Sequence, residues 1–511
     1  MKKTLLFCLL LAATYSLSAQ TTITLHPEQA TQRIPKEIYG HFSEHLGSCI
    51  YGGLWVGPQS TIPNTDGYRN DVLAALKELQ IPVLRWPGGC FADYYHWRDG
   101  IGPRALRPRM VNSSWGGTVE DNSFGTHEFL NLCELLGCEP YVSANVGSGT
   151  VEEMADWVEY MTAPDGPLAQ LRQENGREKP WRVKYFGVGN ESWGCGGQMT
   201  PEFYSDQYRR YAEYSRNYGD NRLFKVGSGA SDYDYNWTEV LMQRVGWRMN
   251  GLSVHYYTVG DWNNKGSATE FTEEQYYWTL GKCLGIEPVL VKHSQIMDKY
   301  DAQKNIALFV DEWGTWWDQE PGSIPGHLYQ QNTLRDAMVA ALSLNVFHKY
   351  TDRIKMANIA QIANVLQAMV LTKEDKMVLT PTYHVFNMYK VHMESFYVPL
   401  DIDTPQERPA DGRNAAVPMV SATASRTQEG VLHITLANVD LKERQTVTLH
   451  LGGSSYKTVT ARILTAPHAS DHNTFENPQT VSVQPFTQYK IKEGVLEVRL
   501  PKTAIVSLEL K

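Results

Sequence analysis

The sequence predicts an α/β fold, a (β/α)8 TIM barrel with a C-terminal antiparallel β-sandwich domain. Two observations carry this. Between residues 37 and 393 apolar, β-branched runs alternate with amphipathic segments in eight strand-then-helix units, and from about residue 394 the pattern changes to short alternating strands separated by Gly, Asn, Asp and Pro. Strand-then-helix units pair in parallel through right-handed crossovers, and eight of them close a barrel. An open doubly wound sheet is the rival, but no glycine fingerprint follows the first strand.

With 511 residues the chain has room for one large domain and a smaller one. Residues 1–19 read as a signal peptide: MKK is the positive region, LLFCLLLAA the apolar region and SLSAQ the cleavage zone, cut after Ala19. This predicts an exported protein, periplasmic or extracellular. No later segment reaches the ~18 apolar residues of a membrane span. Residues 20–36 begin with the alternating TTITLHPEQ, a strand expected to join the sandwich.

The barrel, residues 37–393, contains the strands EIYGHFSEH, IPVLRWPGG, EPYVSANVG, VKYFGVGNE, RLFKVGSGA, GLSVHYYT, IALFVDEWG and IKMANIAQI. Segments such as DVLAALKEL, HEFLNLCELLG, VEEMADWVEYM, EFYSDQYRRYAEYS and LRDAMVAALSLNVF place apolar residues at three- and four-residue spacing, the helical signature. Long inserts after the second strand (residues 90–123) and the sixth (YYTVGDWNNKGSATEF) are expected to rim the C-terminal face. Residues 394–511 supply VLHITLANV, QTVTLHL, TVTARIL, GVLEVRL and AIVSLEL to the sandwich.

A formal net charge of -9 disfavours a polyanionic partner, so nucleic acid is excluded, while 14 Trp and 28 Tyr offer faces suited to sugar C–H surfaces. Cys49, Cys90, Cys133, Cys138, Cys195 and Cys283 are too sparse for a disulfide framework. Cys133 and Cys138, about a helical turn apart, read as buried. No C-x-x-C pair suggests zinc, and no metal or cofactor is expected. A homo-oligomer is left open.

Chemistry concentrates at two strand ends. The fourth strand stops at Asn190 and Glu191, the seventh at Glu312. A single such glutamate caps a helix or pairs with an arginine; two, each with Trp and Gly following, match the paired carboxylates of a glycosidase. Cleavage with retention needs one carboxyl protonated to donate to the leaving oxygen and one ionised to attack the anomeric carbon, ~5–5.5 Å apart. Strands four and seven lie roughly across a closed barrel, so their side chains can converge on one sugar ring. Glu191 is assigned as acid/base and Glu312 as nucleophile; the Glu312 charge would raise the Glu191 pKa, and its capture as an ester would lower it again.

The blocks FSEHLG, RWPGGCFADYYHWRDGIGPR, FGVGNESWGCGG, SVHYYT, DEWGTWW and AQIANVLQ, in this order, resemble those of the glycoside hydrolase family 51 α-L-arabinofuranosidases, over essentially the whole chain after the leader. The resemblance implies a retaining enzyme releasing arabinofuranosyl residues from plant oligo- or polysaccharides, with the acid/base after the fourth strand and the nucleophile after the seventh. It also implies that Asn190 binds the sugar 2-hydroxyl, Glu44 binds sugar hydroxyls, Tyr257 hydrogen-bonds the nucleophile and Gln361 contacts sugar. Plainer readings stand beside these: Glu44 paired with an arginine, Gln361 a buried amide. Tyr256 should face away from Tyr257's side of the strand and be structural.

Arg85 either holds Glu312 ionised or braces the barrel, and His255 reads first as a core histidine. Trp97, Trp115 and Trp193 are stacking candidates that packing also explains. Cys90 departs from the family pattern, standing where many relatives have Asn; a thiol is the weaker hydrogen-bonding group, so the amide's sugar contact does not carry over, though Cys90 can still line the pocket. Two other functions remain: a β-xylosidase or β-1,4-glucanase on the same scaffold, and a carbohydrate-binding protein without activity.

Overall fold

The computed structural model describes residues 19–407, 414–453 and 456–511. Eight parallel strands close a barrel: β1 (Gly40–Phe42), β2 (Val83–Trp86), β3 (Glu139–Ala144), β4 (Tyr185–Val188), β5 (Phe224–Ser231), β6 (Gly251–Thr258), β7 (Ala307–Thr315) and β8 (Ile354–Ala360). Each neighbours the next in sequence, and β8 pairs with β1 through Asn358↔Gly40 to Ala360↔Phe42. The first strand is shorter than its apolar run suggests. Residues Lys36–Tyr39 wind instead into a 3-10 turn after Pro35, and the buried Tyr39 hydroxyl donates to the Tyr389 carbonyl at 2.8 Å.

The intervening helices form where the apolar spacing requires. Asn70–Leu79 buries Val72, Leu73, Ala75, Leu76 and Leu79, the three- and four-residue stripe of one helix face, and ends at Gln80, whose φ of 56° stops the helix. Leu334–Lys349 starts at a reciprocal cap, the Thr333 N–H donating to Asp336 Oδ2 at 2.7 Å. It is buried along nearly its whole length, because barrel lies on one side and sandwich on the other: Asn345 Nδ2 donates to Ser421 Oγ at 2.8 Å.

The sandwich uses both ends of the chain. Its smaller sheet runs Leu400–Asp403, Ala19–Leu25, Gln445–His450, Val495–Leu500 and Tyr489–Lys492; the larger runs Phe396–Tyr397, Val420–Arg426, Leu432–Asn438, Ala504–Leu510, Val459–Thr465 and Val483–Pro485. Alternate residues such as Ile23, Leu25, Val447, Leu449, Ile434 and Val506 meet in the core between the sheets. One pairing departs from the expected antiparallel pattern: Ala19–Leu25 lies parallel to Gln445–His450. A strand arriving from the far end of the chain needs no hairpin, so nothing in its connection imposes antiparallel direction. No described helix is long and apolar enough to cross a membrane.

Candidate active site

The C-terminal ends of the barrel strands open into a cavity of about 170 Å³ whose lining includes Glu44, Cys90, Trp115, Glu191, Trp193, Tyr257, Glu312 and Gln361. Asn190, Arg85 and His255 stand just behind this wall, each at most 3% exposed. Trp97 does not reach it; its ring lies parallel to Trp157 and its Nε1 donates to the Glu153 carbonyl at 2.8 Å.

Backbone irregularity aims the acids. Pairing of β7 with β8 slips between Val310 and Trp313, and pairing of β6 with β7 slips between Ser253 and His255. Successive strand residues ordinarily face opposite ways, but bulges re-aim side chains. Asp311 and Glu312 thereby reach the same imidazole: His255 Nε2 is 3.1 Å from Asp311 Oδ1, and Nδ1 is 3.5 Å from Glu312 Oε2. Glu191, three residues past the end of β4, takes a left-handed φ of 40°, and its Oε1 lies 2.7 Å from His255 Nδ1. A non-glycine residue held there costs on the order of 1–3 kcal/mol, the kind of strain that persists where the surroundings fix it.

Glu312 is gripped from two sides, with Arg85 Nη1 donating to Oε1 at 2.8 Å and the Tyr257 hydroxyl to Oε2 at 2.9 Å. Arg85 also donates through Nη2 to Asn190 Oδ1 at 2.6 Å and through Nε to Ser143 Oγ at 3.1 Å, so it both braces the barrel interior and faces the acid. Tyr256 points away and donates to the Lys282 carbonyl. Glu44 has no arginine partner among the described residues. Trp115 Nε1 and the Phe91 N–H donate to its Oε1 at 2.8 and 3.1 Å, and Gln361 Nε2 to its Oε2 at 3.0 Å.

The electrostatics follow from packing these groups out of water. Burial pushes the Glu191 carboxyl up; the His255 hydrogen bond pulls against this, and the Glu312 charge adds to the rise. Burial would lower His255, but Glu312, Asp311 and Glu191 outweigh it and raise the imidazole to about 10. Burial raises Asp311 too, yet Arg85, His255 and the Tyr141 hydroxyl hold it below the ordinary carboxylate range. Glu44 is pushed up to about 7 by burial and then by Glu312.

Two structural carboxylates were not singled out from the sequence. Asp311 is one, since regular alternation turns it away from Glu312. Asp93 is the other: Oδ1 accepts from the Val146 and Gly147 N–H groups at 2.7 and 2.9 Å and Oδ2 from the Asn190 N–H at 2.8 Å. It ties the insert after β2 to the loops after β3 and β4, and its place in CFADYY, three residues past Cys90 at the head of the expected rim, was the available signal.

Cys90 and Cys195 are joined in a disulfide, S–S 2.14 Å. This corrects the expectation of unpaired cysteines and of a free thiol on the cavity wall. The partners are 105 residues apart, and only closure of the barrel brings the loops after β2 and β4 together. Cys49, Cys133, Cys138 and Cys283 are free and buried.

Comparison with known proteins is consistent along the chain. Residues 75–275 match the family described as the alpha-L-arabinofuranosidase 1 domain, and residues 311–504 the alpha-L-arabinofuranosidase C-terminal domain. An intracellular exo-alpha-L-arabinofuranosidase of Bacteroides ovatus is 66% identical over 505 residues, 98% of each chain. The crystal structure of the GH51 arabinofuranosidase from Xanthomonas axonopodis pv. citri superposes with TM-score 0.95 at 48% identity, covering 96% of this chain and 100% of that one. That of the Thermotoga maritima α-L-arabinofuranosidase in its arabinose complex gives 0.85 at 29% identity, covering 96% and 99%. The Bacteroides enzyme's name overturns the expected export: a relative alike over nearly the full length is intracellular. Export rested on the composition of residues 1–19, of which 1–18 lie outside the described residues, while Ala19, the expected cleavage point, pairs with Gln445 in the sandwich. Fold, sequence and domain matches agree, and the chain belongs to the glycoside hydrolase family 51 α-L-arabinofuranosidases.

Proposed function

We propose that this arabinofuranosidase works by double displacement with retention, Glu312 attacking the anomeric carbon and Glu191 serving first as acid and then as base. One observation carries the reading: carboxylate oxygens of Glu191 and Glu312 lie within 4.8 Å of each other, both beside His255. An inverting pair needs ~6.5–9.5 Å between carboxyl groups to admit a water, whereas a retaining pair stands ~5–5.5 Å apart. Glu191 gives its proton to the glycosidic oxygen as Glu312 forms the ester. Esterification removes the Glu312 charge, Glu191 becomes the stronger acid and exists as carboxylate, and it then takes a proton from the incoming water.

The neighbours have parts in this. Arg85 and Tyr257 hold the Glu312 carboxyl aimed through two charge-assisted or hydroxyl hydrogen bonds. Asn190 commits its oxygen to Arg85 and leaves Nδ2, without a protein partner among the described residues, as a donor for the sugar 2-hydroxyl. Glu44 and Gln361 form one hydrogen-bonded unit on the wall and take further ring hydroxyls. Trp115, Trp316 and Leu366 narrow the cavity, which suits one terminal arabinofuranosyl residue of a plant oligosaccharide or polysaccharide rather than a chain interior. Proton NMR of the first minutes of hydrolysis is expected to show the product anomer with the substrate's configuration; an initially inverted product would exclude Glu312 as nucleophile.

We also propose that the enzyme acts inside the cell, a reading supported by the Bacteroides relative, which is named intracellular. Activity in the producing cells should then appear on lysis and be absent from washed intact cells and the medium. Equal activity before and after lysis would refute the placement.

A further inference from the structure

The cavity wall contains a disulfide beside the proposed acid. Cys195 Sγ is 3.5 Å from Glu191 Oε2, while Oε1 is occupied by His255 Nδ1 at 2.7 Å. Each carboxyl oxygen thus has one close neighbour, one a ring nitrogen and the other a sulfur. The turn between them is short: the Gly194 and Gly196 N–H groups both donate to the Glu191 carbonyl, at 2.7 and 3.1 Å. Cys195 is exposed, and its bond to Cys90 fastens this turn to the loop after β2.

A disulfide sulfur has no proton and only accepts, weakly; a thiol is a donor. Facing the disulfide, Glu191 Oε2 is better off protonated, because an ionised oxygen would meet a lone pair. Facing a thiol, the ionised form gains a hydrogen bond and is favoured. Among the described residues the other charged or titratable groups around Glu191 are His255 and Tyr257 on β6, Asp311 and Glu312 on β7, and Arg85 on β2, and none of these changes with thiol state. The buried free cysteines are not part of this cluster.

We propose that the Cys90–Cys195 disulfide is a positioning group for Glu191, pinning the turn that carries the acid and presenting to its carboxyl a sulfur that accepts but cannot donate. The inference rests on Glu191 being the acid/base. Reduction loosens the turn, so the carboxyl is held less firmly, and adds a donor, so less of it carries the proton. The consequence has weight inside a cell, where disulfides are rare and thiol reductants abundant.

Dithiothreitol supplies the test: it gives two electrons and two protons, the S–S bond breaks, the reagent leaves as its cyclic disulfide, and Cys90 and Cys195 become thiols, verified by peptide mapping. kcat/KM is measured against pH in both states, with 4-methoxyphenyl and 2,4-dinitrophenyl arabinofuranosides. On the methoxyphenyl substrate, reduction should move the alkaline limb down by about half a pH unit or more. Turnover there should fall several-fold near neutrality, the dinitrophenyl substrate should change less than about twofold, and reoxidation should restore both. Because Cys90 Sγ also lies within 4.8 Å of a Glu191 carboxyl oxygen, the variants are made with Cys90→Ala. Cys90→Ala/Cys195→Ser, which supplies a hydroxyl donor, should move the limb the same way. Cys90→Ala/Cys195→Ala, which supplies none, should keep the limb in place, the methoxyphenyl substrate slowing through the loosened turn alone. An unmoved limb after verified reduction, or an equal shift in the double alanine variant, overturns the proposal, and the serine–alanine comparison decides the matter even if the reduced protein is unstable. Glu191→Gln is the reference: if its losses ignore the leaving group, the acid/base reading itself fails; if they follow the leaving group while reduction does nothing, only the role of the disulfide fails.

Discussion

Glu312→Ala is expected to lower turnover by about 10⁴–10⁶-fold on every arabinofuranoside, whatever its leaving group, a loss in the range seen when a covalent nucleophile is removed. No protonation of the leaving oxygen compensates for a missing ester. Alanine also leaves Arg85 and Tyr257 facing empty space where they held a carboxylate, so Glu312→Gln, which preserves the volume, should be assayed beside it. Added azide can enter the vacated space and should give the arabinosyl azide of inverted configuration. Residual activity within a hundredfold of wild type on activated aryl substrates would remove Glu312 from the nucleophile's role.

Glu191→Ala should behave differently in kind. Substrates that need a proton on departure lose about 10²–10⁴-fold, the usual contribution of a positioned general acid. A 2,4-dinitrophenyl substrate needs no proton, so the glycosyl-enzyme forms and accumulates because no base activates water. Azide should then accelerate release of the dinitrophenyl substrate's sugar and give the azide with retained configuration, opposite to the Glu312 variant. Because burial, with Glu312 adding to it, raises the Glu191 carboxyl, the protonated form survives above the ordinary carboxylate range. The activity that depends on it is present below that raised value and is lost as pH rises through it. The variant should lack this alkaline limb. Were good leaving groups to bring no relative recovery, the acid would have to be sought elsewhere in the cavity.

The sequence made the barrel legible because each strand carries a long apolar run and each helix a clean three- and four-residue stripe. Glu191 and Glu312 were legible because they stand at strand ends, where a barrel places its chemistry, whereas Glu44, Tyr257 and Gln361 were named through the family resemblance. What escaped depends on distances that no local pattern encodes. The disulfide joins residues two barrel units apart, and the spacing of the cysteines gave no hint of which pair would meet. Asp311 was hidden by a register slip, a backbone event invisible to a period-two reading. Asp93 sits in an irregular insert and acts through backbone N–H groups, whose positions have no residue code. The compartment escaped for another reason: a charged start, an apolar run and small residues are a matter of composition, and the membrane-export reading they invite was not matched by the intracellular relative.

The strand Ala19–Leu25 lies between Leu400–Asp403 and Gln445–His450. During synthesis it therefore emerges first and waits with both edges unpaired until most of the chain has followed. The barrel can collapse in the interval from strands that are near neighbours in sequence, but the sandwich cannot close before its last strand, Ala504–Leu510, leaves the ribosome. Until then the nascent chain trails an exposed β edge, a template for pairing with other chains. Deleting Ala19–Leu25 or Ala504–Leu510 would take a strand from the smaller or the larger sheet of one shared core, so segments on opposite sides of the barrel in sequence depend on each other.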